Sequence, residues 1–325
     1  PLGLRPEMTA SIARFASTRF SKKERPLRLW ANGTVFKSRE ESDGKIAIEE
    51  SLQSGVELFG SEGMEIEIEL LYLLLESLKV LDINKTYKPK LLIGHTLLMQ
   101  MILAKLGNQL KEKVKEALIN FDLIEINNFN ISESERNTLL MIQKLRGSPE
   151  NTINSLRNIY GNNNILESLE RLFKIIKPIS MKYNVKIQLD PTYKPTYDLY
   201  TGTIFQIVCE GKGSPVVIAR GGRYDELAKK FNKEANDEVA GGFTFYIDNT
   251  RELSHYVQQR KESRPTKVLV AFGPNRKIED ALERQKSLHD KGYIAVIELQ
   301  SCKTQSEAQA LLSRRNCEKL EWINK

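Results

Sequence analysis

The chain has 325 residues and a formal net charge of +7; 40% of its residues are hydrophobic and 28% charged. That length holds one large domain plus a smaller one, and the composition is that of a globular protein, not a disordered or fibrous one. The longest apolar run, Leu70 to Leu75, falls far short of the roughly 20 residues that cross a bilayer, and Lys and Arg are scattered among Asp and Glu, so neither membrane nor nucleic-acid binding is expected.

Along the chain, Thr9 to Ser17 predicts a short helix with Ile12, Phe15 and Ala16 on one side. Leu27 to Lys37 predicts a hairpin, with Asn32-Gly33 as a positive-φ turn between two apolar stretches. Glu65 to Leu81 predicts a helix, because Leu71, Leu74, Leu75 and Leu78 recur at helical spacing. Lys90 to Ile93 reads as a strand that passes through Gly94-His95 into a helix from Thr96 to Leu106. Residues 105–181 are helical in pattern and polar, with Asn-rich connections, which marks a helical insertion. Lys186 to Leu189 resumes strand character, Thr203 to Val208 and Pro215 to Ala219 predict a hairpin, and Phe243 to Ile247 predicts a buried strand. The charged stretch 258–265 reads as a linker bounding a first domain over residues 1–257. Residues 266–325 then alternate as βαβαβ, with a helix from Gln305 to Arg315 capped by Thr304.

Four motifs stand in order: Leu4-Arg5-Pro6-Glu7-Met8-Thr9, Gln53-Ser54-Gly55-Val56-Glu57, Tyr200-Thr201-Gly202, and Arg220-Gly221-Gly222-Arg223-Tyr224-Asp225. Together they resemble the LRPEGT-type, QxGVE and two histidine-specific elements of histidyl-tRNA synthetases. The resemblance implies an α+β, class II aminoacyl-tRNA synthetase-like fold: an antiparallel sheet with flanking helices, the insertion at about 105–181, and a C-terminal α/β unit resembling a reduced anticodon-binding domain.

The residue chemistry suits a free amino acid. An ammonium needs acceptors, which Glu7, Thr9 and Gln53 offer as carboxylate, hydroxyl and amide. An imidazole needs partners at both ring nitrogens, for which Glu57 and Tyr200 are the candidates. Gly221 and Gly222 let backbone approach the ring without a Cβ, and Arg223 and Tyr224 complete the candidate histidine-binding set. Each residue taken singly is an ordinary loop or core residue; the ordered motifs give them the pocket reading. No metal site is expected, since His95, His255 and His289 are widely separated and Cys209, Cys302 and Cys317 lack ligand spacing. The cysteines are read as reduced thiols of a cytoplasmic protein.

The adenylation side departs from the family. Activating an amino acid with ATP needs cations on the α-phosphate, where negative charge develops. The family's second-motif arginine falls at Lys37, a cation without the bidentate fork; its third-motif arginine falls at Asn249, and its histidine-specific arginine at Pro195. Losing one preorganised contact of this kind costs about 10²–10³ in rate, so no catalytic residues are expected.

That combination resembles the regulatory subunits of ATP phosphoribosyltransferase, paralogues of the synthetase. The resemblance implies a non-catalytic subunit required for the first step of L-histidine biosynthesis and a hetero-oligomer with the short-form catalytic subunit. It further implies self-association as a dimer, no cofactor, and feedback regulation with L-histidine as allosteric ligand, bound in this pocket or at the subunit interface. The chain starts Pro1-Leu2-Gly3 with no initiator Met, so an N-terminal part is expected to be missing. The alternatives are a divergent histidyl-tRNA synthetase that activates histidine and charges tRNA, and an RNA-binding module using the C-terminal unit.

Overall fold

The computed structural model describes residues 3–40, 44–61, 63–83, 85–104, 106–194, 199–232, 238–258 and 266–324. Two units emerge, Pro1–Tyr256 and Val257–Lys325. The linker read at 258–265 lies outside the described residues apart from Gln258.

Among the described residues, the larger unit carries seven strands: β1 (Leu27–Glu40), β2 (Ile46–Ser61), β3 (Lys90–His95), β4 (Lys186–Leu189), β5 (Thr203–Glu210), β6 (Pro215–Arg223) and β7 (Val239–Tyr246). They form one sheet in the order β1-β2-β7-β6-β5-β3-β4. Neighbours run antiparallel except β3 and β4, which are parallel. A parallel pair needs a crossover of about a dozen residues or more, and the helical insertion between β3 and β4 supplies it.

The hairpin expected at Asn32-Gly33 does not form. β1 runs unbroken and pairs with β2 from Leu27↔Phe59 to Glu40↔Ile46. Gly33 is not in the positive-φ region; positive φ falls instead at Gly44, φ +80°, between the two strands. Gly33 has another use: a Cβ there would overlap the Arg5 guanidinium, which crosses β1 as Arg5 Nε donates to Thr34 O at 2.7 Å. The Asn-Gly signal therefore marks a close crossing, not a turn.

Helix α1 (Thr9–Thr18) buries Ala13, Ala16 and Ser17. Phe15, expected on the packed side, is 39% exposed and meets Phe20 edge-on at 4.6 Å. Small residues let the helix sit close to Phe59, Tyr224, Leu227 and Ala240, which with Ala13 and Ala16 form one core cluster. Helix α2 (Glu65–Val80) covers the opposite face: its buried stripe includes Leu70, Leu71, Leu74, Leu75 and Leu78, and Leu70 lies 3.1 Å from where a Gly241 Cβ would stand. Alternate residues of β7 therefore face α2 on one side and α1 with the candidate site on the other.

The insertion comprises α3 (Thr96–Leu103), α4 (Asn108–Asn120), α5 (Leu123–Asn128), α6 (Glu133–Lys144), α7 (Pro149–Tyr160) and α8 (Asn164–Lys182). Helices α3 to α6 share a core that includes Val114, Leu118, Ile126, Leu139 and Ile142. The polar residues that broke the apolar pattern are caps: Ser132 and Glu135 form a capping box on α6, and Asn163 accepts from the Ile165 and Leu166 amides of α8. Helices α9 (Leu227–Phe231) and α10 (Ile247–Gln258) follow β6 and β7.

In the smaller unit, β8 (Lys267–Phe272), α11 (Ile278–Asp290), β9 (Ile294–Ile297), α12 (Gln305–Arg314) and β10 (Lys319–Ile323) follow the order read from the pattern. The three strands are parallel in the order β10-β8-β9. Period-2 alternation on β8 splits its side chains between two clusters: Val268, Val270 and Phe272 pack with Ala281 and Leu288 of α11, while Ala271 packs with Ala308 of α12 and with Cys302, which precedes that helix. Thr304 Oγ1 accepts from the Glu307 amide at 3.2 Å, the cap expected for α12.

Candidate functional site

The site forms where the start of α1 crosses the face of β2, β7 and β6. Gln53, Gly55 and Glu57 alternate onto that face of β2, in register with Tyr246, Thr244 and Gly242 of β7. Glu7 sits just before α1, where its carboxylate accepts from the Ala10 amide at 3.0 Å, a favourable place for an anion beside a helix N-terminus. Thr9 Oγ1 donates to Glu57 Oε1 at 2.6 Å, and Tyr224 Oη donates to Glu57 Oε2.

Glu57 is 3% exposed. Burial pushes its carboxyl up to about 7; the hydrogen bonds from Thr9 and Tyr224 oppose this, and the negative charge of Glu7 adds to it. Burial, with the Glu57 charge beside it, also holds the Tyr224 hydroxyl well above the usual phenol range, so Tyr224 remains the donor. A Cβ at Gly242 would overlap the Glu57 carboxylate, so the glycine is required by close approach.

The space above these residues amounts to about 550 Å³ when the open solvent at its mouth is counted. Of the candidate residues, Glu7, Thr9, Gln53, Tyr200, Gly221 and Tyr224 line it. Glu57 forms its buried support behind Thr9 and Tyr224. Gly222 faces the Tyr200 ring, at 2.7 Å from where its Cβ would be. Arg223 is engaged elsewhere: its Nε donates to the Asp225 carboxylate at 2.9 Å and its Nη1 to Gly63 O at 2.8 Å, with Glu67 of α2 at 3.4 Å. Glu67 is buried, which raises its carboxyl despite Arg223 and the hydroxyl of Thr203, so Arg223 balances a charge under the sheet.

The lining residues outside the candidate set include the polar side chains of Arg220, Thr244 and Tyr246. The signal for Arg220 was the first letter of its own motif, and for Thr244 and Tyr246 the alternation of β7 from Gly242. Arg220 and Tyr246 also line a neighbouring open cleft, about 910 Å³ counting open solvent, together with Lys37 and Asn249. There Asn249 Nδ2 donates to Val217 O at 2.8 Å, and the Lys37 ammonium stands 5.4 Å from the Tyr246 ring centroid. Lys37 and Asn249, two of the three positions read from the sequence as altered adenylation positions, thus share one cleft; the third, Pro195, lies outside the described residues.

His95 belongs to the fold. Its Nδ1 accepts from the Leu97 amide at 3.1 Å, capping α3, and burial with the nearby Arg223 charge lowers its ring to about 4. Among the described residues no three His, Cys, Asp or Glu side chains group as metal ligands.

This seven-stranded sheet, with motif residues on one face and a helical insertion, defines a chain of the histidyl-tRNA synthetase type, and the histidyl-tRNA synthetase family model matches residues 1–250. A Prochlorococcus marinus strain MIT 9211 protein named ATP phosphoribosyltransferase regulatory subunit is 59% identical over 324 residues, 100% of this chain and 82% of the relative. A Synechococcus strain CC9902 protein of the same name is 44% identical over 100% of this chain and 82% of its own length. The chain belongs to this family of regulatory subunits. Among solved structures, a Bacillus halodurans ATP phosphoribosyltransferase regulatory subunit/histidyl-tRNA synthetase shares the fold, with TM-score 0.68 and 23% identity over 99% of this chain and 79% of that one. A Nostoc histidyl-tRNA synthetase does likewise, with TM-score 0.68 and 13% identity over 99% and 76%.

Proposed function

We propose that the chain is the regulatory subunit of an ATP phosphoribosyltransferase, acting in the first step of L-histidine biosynthesis in complex with a separate catalytic chain. The observation that carries this reading is the 59% identity to a protein of that name across all of this chain. In this reading the chain does no adenylation chemistry of its own. Lys37 and Asn249 support that view, because a lysine and a backbone-bonded amide stand at two positions where the family carries arginines.

The cavity beneath α1 takes free L-histidine as the feedback ligand. Acceptors at Glu7 and Gln53 suit its ammonium, and Tyr200 with the Thr9–Glu57–Tyr224 cluster suits an imidazole. The subunit works in the cytoplasm and self-associates as a dimer beside its catalytic partner; among the described residues no helix is long and apolar enough to cross a membrane.

Co-expression with a short-form catalytic subunit tests the assignment. The two chains should co-elute, phosphoribosyl transfer to ATP should require both, and histidine should depress it. Histidine-dependent exchange of pyrophosphate into ATP by the chain alone would instead support a working synthetase and overturn the non-catalytic reading.

A further inference from the structure

We propose that Thr201 is a positioning residue for the cavity: by bonding to both chain neighbours of Tyr224, it holds the Tyr200 ring in register with that second tyrosine. This deepens the reading of the cavity as a histidine site and rests on it.

Tyr200 and Tyr224 both line the cavity, but the backbone carries them differently. Tyr224 follows β6 directly and is anchored at both ends: its amide donates to Ala240 O of β7 at 2.7 Å, and its hydroxyl donates to Glu57. Tyr200 stands three residues before β5, outside the strand ladder. Thr201 supplies a substitute for that ladder.

The Thr201 amide donates to Arg223 O at 2.8 Å, and Thr201 Oγ1 accepts from the Asp225 amide at 3.0 Å. One residue therefore bonds on both sides of Tyr224, its hydroxyl taking the place of a ladder carbonyl. The partners are themselves fixed. The Asp225 carboxylate accepts from Arg223 Nε at 2.9 Å and from the Ala240 amide at 3.3 Å. Gly202 O accepts from the Thr96 amide, at the start of α3, at 3.2 Å. With residues 201 and 202 held, the Tyr200 ring lies where a Gly222 side chain would stand: its Cδ1 and Cε1 are both 2.7 Å from that Cβ position. Thr201 itself lies outside the cavity wall and lines a neighbouring cleft with Thr96 and Lys230. It acts on a ligand through Tyr200, because a binding group is only as well placed as the residues that lock it.

The test is calorimetric titration of the full chain with L-histidine, paired with urea unfolding. Thr201→Val keeps the side-chain shape and removes the acceptor; it should weaken histidine roughly 3- to 10-fold, the size of one neutral hydrogen bond. Thr201→Ser keeps the hydroxyl and should bind histidine within about 2-fold of wild type. The deciding arm is Tyr200→Phe, which removes the hydroxyl that Thr201 positions. On that background Thr201→Val should cost histidine less than about 2-fold, while its effect on the urea midpoint stays the same. An equal loss of affinity on both backgrounds would mean a general weakening of the site and overturns the proposal, as does unchanged affinity in Thr201→Val. Should Thr201→Val fail to fold, Thr201→Ala carries the same cycle. If wild type binds no histidine, the histidine reading of the cavity fails and takes the proposal with it.

Discussion

Gly242 and Glu57 stand opposite each other between β2 and β7, and the Glu57 carboxylate occupies the space that a Gly242 side chain would need. Gly242→Ala should therefore displace Glu57 or spread the two strands. Overpacking of a filled site costs about 1–3 kcal/mol, which urea unfolding would read. Histidine affinity should fall in the same variant, because Thr9 and Tyr224 lose their common partner. Unchanged stability and affinity would show that Glu57 is not held against β7.

The pH dependence of stability has a defined sign. Glu57 titrates at about 7 in the fold against an ordinary 4.5, so between those values the folded state binds more protons than the unfolded one. Its contribution to stability is then fully present below about pH 4.5, declines as pH rises, and is lost above about pH 7; the 2.5-unit difference corresponds to roughly 3 kcal/mol. Chemical denaturation of wild type and Glu57→Gln across this window measures it. The stability difference should shift steadily against wild type from pH 4.5 to 7 and then level off; parallel profiles would refute the burial effect.

Tyr224→Phe removes the hydroxyl that donates to Glu57 Oε2 inside the core. A buried acceptor left without its donor costs about 1–3 kcal/mol, visible as a lower urea midpoint. The carboxyl of Glu57 should also rise further, moving the pH profile above to higher pH. Thr9→Val should act in the same direction through Glu57 Oε1.

Arg223→Ala should damage the fold more than the cavity. It leaves the buried Glu67 without its cation and frees Asp225 and Gly63 O. Breaking a largely buried ion pair costs about 3–5 kcal/mol, and pairing with Glu67→Gln in a double-mutant cycle should recover part of it. Additive losses in that cycle would mean that the two side chains are not coupled.

Much of the fold was legible locally. α2 was readable because its leucines recur at helical spacing, and the C-terminal βαβαβ order because short apolar runs alternate with capped polar helices. β2 was not assigned as a strand: Glu49, Glu50, Gln53 and Glu57 interrupt its apolar pattern, and two of them turn inward only because α1 and β7 receive them. Asn32-Gly33 misled for a related reason. The dipeptide permits a turn, but long pairing with β2 and the passage of Arg5 keep β1 extended.

The sequence alone determined the order of the motifs, the period of each element and the residue types offered to a ligand, because all of these are properties of neighbours along the chain. Only the tertiary structure decided which of those residues meet. Strand order brings Glu57 and Arg220 to either side of β7 although 163 positions separate them (220 − 57), and the same pleat sends Arg223 to Glu67 under the sheet. It also set the protonation of Glu57, since a carboxyl shifts with its burial and the charges packed around it, and neither exists until the sheet has closed beneath α1.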